Sequence, residues 1–413
     1  MEFIADFHIH SKYSRATSKD MDVVHIAEWA KIKGITLMGT GDFTHHLWLE
    51  ELKNTLEDLG NGLFKYKDIY FILTSEVSSI YSKKGRTYRI HNMIFSPSFK
   101  TTDKINAVLA RRGNLASDGR PILGIDAQEL AAMVFDIDEN CMIVPGHIWT
   151  PWFSLFGSMS GFDKIEDCFE DQTSKIFALE TGLSSDPAMN WRLSALDKFT
   201  LISNSDSHSP AKIGREANVF DCALDYKTIR EVLKTKDKER LLCTIEFFPE
   251  EGKYHYDGHR SCGVRFDPAQ TKAHKGICPE CKKPLTVGVM NRVEVLADRP
   301  AGYTPSNAIP YKNLIPLDEI IAGARGVSKT SVAVDKEYRA LISKFDTEFD
   351  ILLRASPDEL RKGLPARVAE GVLRMRQGEV EIQPGFDGEY GIISLFGKEG
   401  DKPAEGEKQL SLF

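Results

Sequence analysis

Between residues 1 and 225, short apolar runs alternate with amphipathic stretches, and run after run ends in a histidine or a carboxylate. "MEFIADFHIH", "ITLMGTGDF", "YFILTSEVSSIY", "YRIHNMIFSP", "CMIVPGHIW", "KIFALETGL" and "FTLISNSDSH" have the β-rich composition and length of strands. "MDVVHIAEWAKIKG" and "WLEELKNTLEDLG" between them have the apolar spacing of helices. Repeated β-α alternation constrains this part to an α/β domain with a largely parallel sheet, open or closed into a barrel. In such folds the chemistry is assembled at the C-terminal ends of the strands, which is where these polar residues fall.

In "ADFHIHSKYS", Asp6, His8 and His10 alternate and so share one face, while Phe7 and Ile9 take the other. A lone His-x-His fits a solvated edge strand as well as it fits a metal site. The other strand ends add Asp42, Glu76, His91, His147, Asp206 and His208. Imidazole mixed with carboxylate suits Zn, Mn, Fe or Ni, with carboxylates able to bridge two ions. Paired ions about 3.5–4 Å apart support phosphoryl displacement. His25 lies within a helix and reads as structural.

The bulk numbers fit this assignment. The 413 residues are 42% hydrophobic and 27% charged, enough for one large domain with one or two smaller ones. The start lacks a basic segment followed by an apolar one, and no apolar run approaches the roughly 18 residues of a membrane span, so a cytoplasmic, nucleoid-associated protein is expected. Residues 1–225 carry 23 Lys and Arg against 31 Asp and Glu, a balance suited to divalent cations. Residues 226–300 carry 15 against 11, where a polyanion can dock, although many solvated surfaces are as basic.

Cys141, Cys168, Cys222 and Cys243 stand singly in apolar surroundings, as buried small hydrophobes do. "GHRSCGVRFDPAQTKAHKGICPEC" is different. His259 and Cys262, then Cys278 and Cys281, form two knuckles of equal spacing with fifteen residues between them. That pattern predicts one structural, four-ligand zinc site with no open position for catalysis, against the bland alternative of coincidental cysteines. Arg260, Arg265, Lys272, Lys275, Lys282 and Lys283 around it suit a nucleic-acid backbone or a solvated surface.

The expected plan is a barrel domain over 1–225, a charged helical connector over 226–252 and a zinc-binding module over 253–290. A mainly helical DNA-binding domain over 291–395 and a polar tail over 396–413 follow. In "AGARGVSKTSVAV", Gly323 and Gly326 precede Ser328, Lys329 and Thr330, either a phosphate-approaching turn of helix-hairpin-helix type or a plain turn. It is not a Walker loop, because the four-residue gap is absent. The tail ends in "QLSLF", which resembles the peptide by which bacterial DNA-processing proteins dock on the sliding clamp. Gln409 would give polar direction, with Leu410, Leu412 and Phe413 entering an apolar pocket. An apolar terminus folded back on its own domain, or an archaeal clamp, are the other readings.

The order of motifs, with "DFHIHS" and "SDSH" the strongest, resembles the polymerase and histidinol phosphatase (PHP) family of metallophosphoesterases over residues 1 to about 225. The resemblance implies an irregular β/α barrel holding up to three ions at its C-terminal face. His8, His10, Glu76 and Asp206 would hold one ion, and Glu76 would bridge to a second held by His91 and His147. Asp42 and His208 would contribute to a third. Asp206, His208 and Glu76 would carry catalysis. Many members have Asp-His where this chain has Asp42-Phe43, so a ligand is missing there unless His45 or His46 replaces it.

Over its whole length the chain resembles the endonuclease Q family of DNA repair nucleases, on "GTGDFTHHLW", "VPGHIWTPWFSLFG", "SNSDSHSP" and "LTVGVMNRVEVLADRP". This implies cleavage 5′ to hypoxanthine, xanthine, uracil or an abasic site by metal-activated water, leaving 3′-hydroxyl and 5′-phosphate ends. It also implies structural and active-site Zn²⁺, with Mg²⁺ or Mn²⁺ for catalysis. Trp149, Trp152, Phe153 and Phe156 follow His147 and either line a base pocket or pack the core. Arg192, Arg215 and Lys329 are candidate phosphate contacts. A small-molecule phosphoesterase similar to histidinol phosphatase, and an inactive DNA-binding adaptor, are the alternatives. A monomer is expected.

Overall fold

The computed structural model describes residues 1–396; the expected clamp peptide, Gln409 to Phe413, lies outside them. Strands Glu2–Asp6, Leu37–Gly39 and Ile69–Lys83 run parallel, and Ala178–Glu180 runs parallel to Thr200–Ile202. Antiparallel pairs are as prominent. Ile69–Lys83 pairs with Arg86–Ser96, which pairs with Met142–Pro145, and Glu2–Asp6 pairs with Ala217–Asp221. The sheet is therefore mixed, not largely parallel. The cause is local: Lys84 (φ 50°) and Gly85 (φ 79°) make a two-residue, positive-φ turn that sends the strand straight back.

Inward residues of successive strands, among them Phe3, Leu37, Ile72, Met93, Val144 and Ile202, form one buried cluster, so the strands curl around a common interior. This is an irregular β/α barrel. Phe7 packs on Phe95 and Phe220 at centroid distances of 5.5 and 6.0 Å and closes the apolar interior just before His8 opens the polar end. Outside, helix Val23–Lys33 starts where the Asp22 side chain accepts from the His25 N–H and stops at Gly34 (φ 88°). It buries Val23, Ile26, Ala27 and Ala30 against the barrel.

The barrel continues past residue 225. Helix Tyr226–Thr235 contributes Tyr226, Ile229, Val232 and Leu233 to the interior cluster, and Leu241–Glu246 pairs with Ala217–Asp221. The stretch expected as a connector is thus a helix and strand of the barrel itself, because its charges sit on one face and an apolar stripe on the other. A small module follows, built on the hairpin Asp257–His259 and Val264–Phe266 with its turn at Gly263 (φ 64°).

Helices Leu317–Arg325, Val332–Phe345, Pro357–Gly363 and Ala366–Gln377 form the C-terminal part. Its hairpin, Glu381–Gln383 with Ile392–Ser394, returns to the small module, where the Arg260 N–H donates to Asp387 at 2.7 Å. The helices dock on the barrel through a buried ion pair, Lys33 Nζ to Glu348 Oε2 at 2.5 Å. Glu348 also accepts from the Leu317 N–H (3.0 Å) and the Tyr338 hydroxyl (2.5 Å). Among the described residues no helix is long and apolar enough to cross a membrane.

Candidate active site

The strand Glu2–Asp6 ends one residue before Phe7, and the chain beyond it stays extended enough for Ile9 to bridge Ser207. Alternation therefore persists, and His8 and His10 face the same side. Asp6 serves the frame: its carboxylate accepts from the Ser205 and Gly214 N–H groups and fixes the loop that carries Asp206. Burial pushes its carboxyl up to about 6 despite these bonds. Asp206 (φ 46°) and His147 (φ 30°) hold left-handed backbone, a strained conformation common at functional sites.

Two groups of ligand-type atoms form at the barrel mouth. His8, His10, Glu76 and Asp206 bring one atom each within 4.8 Å of one another, and so do Glu76, His91 and His147. Glu76 belongs to both. Its Oε2 lies 3.2 Å from His10 Nε2 and 3.5 Å from His8 Nε2, while Oε1 lies 2.6 Å from His91 Nδ1 and 3.2 Å from His147 Nε2. His8 Nε2, His10 Nε2 and Asp206 Oδ1 are buried and converge, with His10 Nε2 3.1 Å from Asp206 Oδ1, and among the described residues none of the three makes an aligned hydrogen bond. Unpartnered buried polar atoms are costly unless something else satisfies them, and a divalent cation fits this donor set.

The carboxylates and His91 are already in the form that binds a cation. Burial works against ionisation of Glu76, but His91, Arg120 and His8 outweigh it and hold the carboxyl well below its usual range. Asp206 is likewise held low against burial, by His10 and His8. His91 is pushed down to about 4, chiefly by burial, and is a neutral imidazole at ordinary pH. His8, His10 and His147 go the other way: against burial, the carboxylates around them, Glu180 at His8, Asp42 at His10 and Glu76 at His147, push all three up, so a cation taken up here would have to displace their protons.

Several expected residues lie elsewhere. Asp42 is not aimed at either group. It sits behind His10, accepting from His10 Nδ1 (3.0 Å), the Ser11 N–H (2.6 Å) and the Ser11 and Ser14 hydroxyls (2.7 and 2.9 Å). His208 lies outside both groups, its Nδ1 on the Asp206 carbonyl at 2.9 Å and its ring 4.5 Å from His10. Phe43 is fully buried in the core, and His45 stacks between Tyr13 and His46. Trp149 is no base contact: it is fully buried and donates to Asn190. Phe156 is core as well. Trp152, by contrast, is 41% exposed, and Phe153 (φ 60°) packs on His91 at 4.9 Å.

Arg192 is buried and pairs with Glu294 (2.5 Å). Arg215 holds the Ser205 carbonyl, and Lys329 pairs with Glu319 at 2.8 Å on an exposed turn. His259, Cys262, Cys278 and Cys281 come together within 4.8 Å, with Cys278 buried and Lys282 (φ 60°) closing the second knuckle. Sequence reasoning missed Glu180, which accepts from His8 Nδ1 (3.0 Å) and the His147 N–H (2.8 Å). It also missed Arg120, 3.2 Å from Glu76. The signal for Glu180 was available, since it ends the strand "ALE" as the other site residues end theirs.

Two groups of ligand atoms sharing one carboxylate at the mouth of an irregular β/α barrel are the arrangement of a metal-dependent hydrolase, the class to which the structural comparison assigns the protein. The lesion-specific endonuclease PfuEndoQ from Pyrococcus furiosus superposes on it with a TM-score of 0.86 and 32% identity, covering 95% of each chain. The chain belongs to the endonuclease Q family. Endonuclease Q in complex with a 27-mer duplex carrying an abasic lesion at the active site gives a TM-score of 0.84 at 32% identity, covering 95% of this chain and 96% of that one.

Residues 316–379 match the family described as the MJ0043 C-terminal domain. The chain is 33% identical over 289 residues to the uncharacterized protein MJ0043 of Methanocaldococcus jannaschii, an alignment covering 67% of this chain and 36% of that protein. It therefore matches about a third of that relative's length. It is 28% identical over 410 residues to the uncharacterized protein YqxK of Bacillus subtilis, covering 94% and 98%.

Proposed function

We propose that the chain is a DNA repair endonuclease that hydrolyses the phosphodiester 5′ to deaminated bases (hypoxanthine, xanthine, uracil) and to abasic sites. The products are 3′-hydroxyl and 5′-phosphate ends. The observation that carries this reading is the convergence of His8, His10 and Asp206, buried and unpartnered, beside a cavity large enough for a nucleotide. That cavity, about 630 Å³, starts at Thr150, which holds His147 Nδ1 at 3.0 Å, and at Arg215 beside Asp206. Phe247, Tyr254 and Lys253 continue its wall, aromatic faces and a cation suited to a base and its phosphate, while Lys329 is held by Glu319 and Glu251 also faces the cavity.

His8, His10, Glu76 and Asp206 hold one ion in this reading, and Glu76, His91 and His147 a second. Divalent ions so placed supply an activated water and offset the charge that develops on the phosphate. Zn²⁺ suits these ligands as well as the cysteine module, with Mg²⁺ or Mn²⁺ able to support turnover. Phe153, packed on His91, and the exposed Trp152 beside it are placed to meet a base leaving the stack, and a damaged or mispaired base is the least costly to extrude. The basic zinc-binding module and the C-terminal helices would follow the duplex. "QLSLF" supports docking on a bacterial-type sliding clamp, and with it a cytoplasmic, nucleoid-associated location.

The test is a labelled duplex with a single deoxyinosine, incubated with Mg²⁺ or Mn²⁺ beside undamaged duplex and an Asp206→Ala variant. Cleavage 5′ to the lesion, absent from both controls, is expected. Hydrolysis of a simple phosphate monoester without lesion cleavage would overturn the proposal in favour of a small-molecule phosphoesterase. Steep weakening of binding with salt separates a duplex ligand from a small one.

A further inference from the structure

We infer that Glu180 is the positioning residue that couples the two ion positions, fixing one ligand of each. This rests on the reading that the two groups at the barrel mouth hold divalent ions. Glu180 is fully buried at the end of strand Ala178–Glu180, and its two oxygens take three donors. Oε1 and Oε2 lie 3.0 and 3.1 Å from His8 Nδ1, Oε2 accepts the His147 N–H at 2.8 Å, and Oε1 accepts the Asn204 amide at 2.9 Å.

The direction of the Asn204 amide is settled by its other end. Its carbonyl oxygen accepts from the Phe7 N–H (2.9 Å) and from Asn218 (3.0 Å), so its NH₂ must face Glu180. With an acceptor-only group on Nδ1, the His8 ring carries its proton there. Its Nε2 lone pair is left pointing at Glu76 and Asp206, which is where that nitrogen is found, buried and unpartnered. One carboxylate thus sets the tautomer of a ligand in the first group.

The same carboxylate anchors the second group through the backbone. His147 sits at φ 30°, outside the comfortable range for a residue with a side chain, and its N–H is tied to Glu180. The neighbouring glycines let the chain pack closely around it. A Cβ on Gly182 (φ +63°) would lie 2.5 Å from His147 Cβ, and one on Gly146 would lie 3.3 Å from Glu180 Oε2 and 3.7 Å from both Glu76 Oε1 and His8 Cε1. Asp42 does the corresponding work for His10, and Thr150 for His147 Nδ1, but each touches one group only.

Glutamine at position 180 keeps the shape and turns an NH₂ toward donors. One oxygen then has to serve three donors: with the NH₂ in place of Oε2 the His147 N–H loses its acceptor, with it in place of Oε1 it opposes the Asn204 NH₂, and in both cases the charge behind His8 Nδ1 is gone. The experiment is Mn²⁺ titration of the full chain with its cysteine module loaded with Zn²⁺, free Mn²⁺ being read by electron paramagnetic resonance. Glu180→Gln is expected to weaken both binding steps by about 10- to 100-fold, the range for losing such a support. Thr150→Val, the comparator, is expected to weaken one step only. Unchanged Mn²⁺ affinity in Glu180→Gln, or loss confined to one step, would overturn the inference. If Glu180→Gln does not fold by circular dichroism, Glu180→Asp reads the same two steps, since the shorter side chain cannot span from His8 to the His147 N–H. Failure of the wild type to take up Mn²⁺ would sink the underlying reading and the inference together, whereas an unchanged variant sinks the inference alone.

Discussion

The ion pair between Lys33 and Glu348 joins the barrel to the C-terminal helices, and its loss is measurable. Both side chains are almost completely buried, at 7% and 4% exposure, and 2.5 Å apart. Glu348→Gln removes the charge opposite the Lys33 ammonium and leaves it an amide carbonyl, the face of Tyr338 at 5.7 Å and the carboxylate of Asp318 farther off. Breaking a buried pair from one side costs about 3–5 kcal/mol, a large share of a domain stability of about 5–15 kcal/mol. Lys33→Met is expected to cost less, because the orphaned Glu348 keeps the Leu317 N–H and the Tyr338 hydroxyl.

The assay is urea unfolding followed by fluorescence. Trp29, whose ring lies 6.3 Å from Tyr338, reports on this interface. Burial raises the Glu348 carboxyl, but Lys33 and the Tyr338 hydroxyl outweigh it and hold it below the ordinary 4.5. Folded below unfolded means the contribution is fully present above about pH 4.5 and is lost as pH falls through the lower folded value. The gap between wild type and Glu348→Gln is therefore expected at neutral pH and to close under acid. Equal costs for the two single variants, or a gap of under about 1 kcal/mol at pH 7, would refute the reasoning.

Three further outcomes are expected. Glu246 is fully buried beside the Thr244, Thr181 and Ser203 hydroxyls, and burial pushes its carboxyl up to about 8, so folding stability is present below about pH 4.5 and lost as pH rises through 8; Glu246→Gln should flatten the melting temperature between about pH 5 and 8. Cys278→Ser should release the zinc of the cysteine module, seen as one equivalent less by metal analysis, and open residues 257–286 to protease while leaving the barrel ions bound. Trp152→Ala combined with Phe153→Ala should lower kcat/KM on a lesion duplex by about tenfold or more, at base-stacking energies of about 1–3 kcal/mol, with Mn²⁺ binding unchanged.

The ligand candidates were legible because metal chemistry needs particular side chains, and the barrel collects them at strand ends. What could not be read was which carboxylate joins the groups at the barrel mouth and which stands behind a histidine. Asp42 and Glu76 look alike in sequence, yet Asp42 faces Ser11, Ser14 and His10 Nδ1. Trp149 and Trp152 differ by three positions, and only packing decides that one is core and the other rim. The helix Tyr226–Thr235 was hidden by its own surface: Lys227, Arg230 and Lys234 read as a charged connector, while the stripe from Tyr226 to Leu233 enters the barrel. A largely parallel sheet was expected because alternation was counted without the turn at Lys84 and Gly85, which makes a hairpin of two adjacent strands.

That hairpin has an evolutionary consequence. Glu76 lies opposite Met93 and His91 opposite Ser78, so the shared carboxylate and a ligand of the second group are diagonal neighbours on one face. Their spacing is a property of strand pleat and register, set where both strands are buried. The exposed turn at Lys84 and Gly85 begins six residues beyond His91's partner, Ser78, and plays no part in that spacing. Insertions can accumulate at such a turn, and a lineage can lengthen or restyle this arm of the molecule, while the distance between the two reactive positions is inherited unchanged.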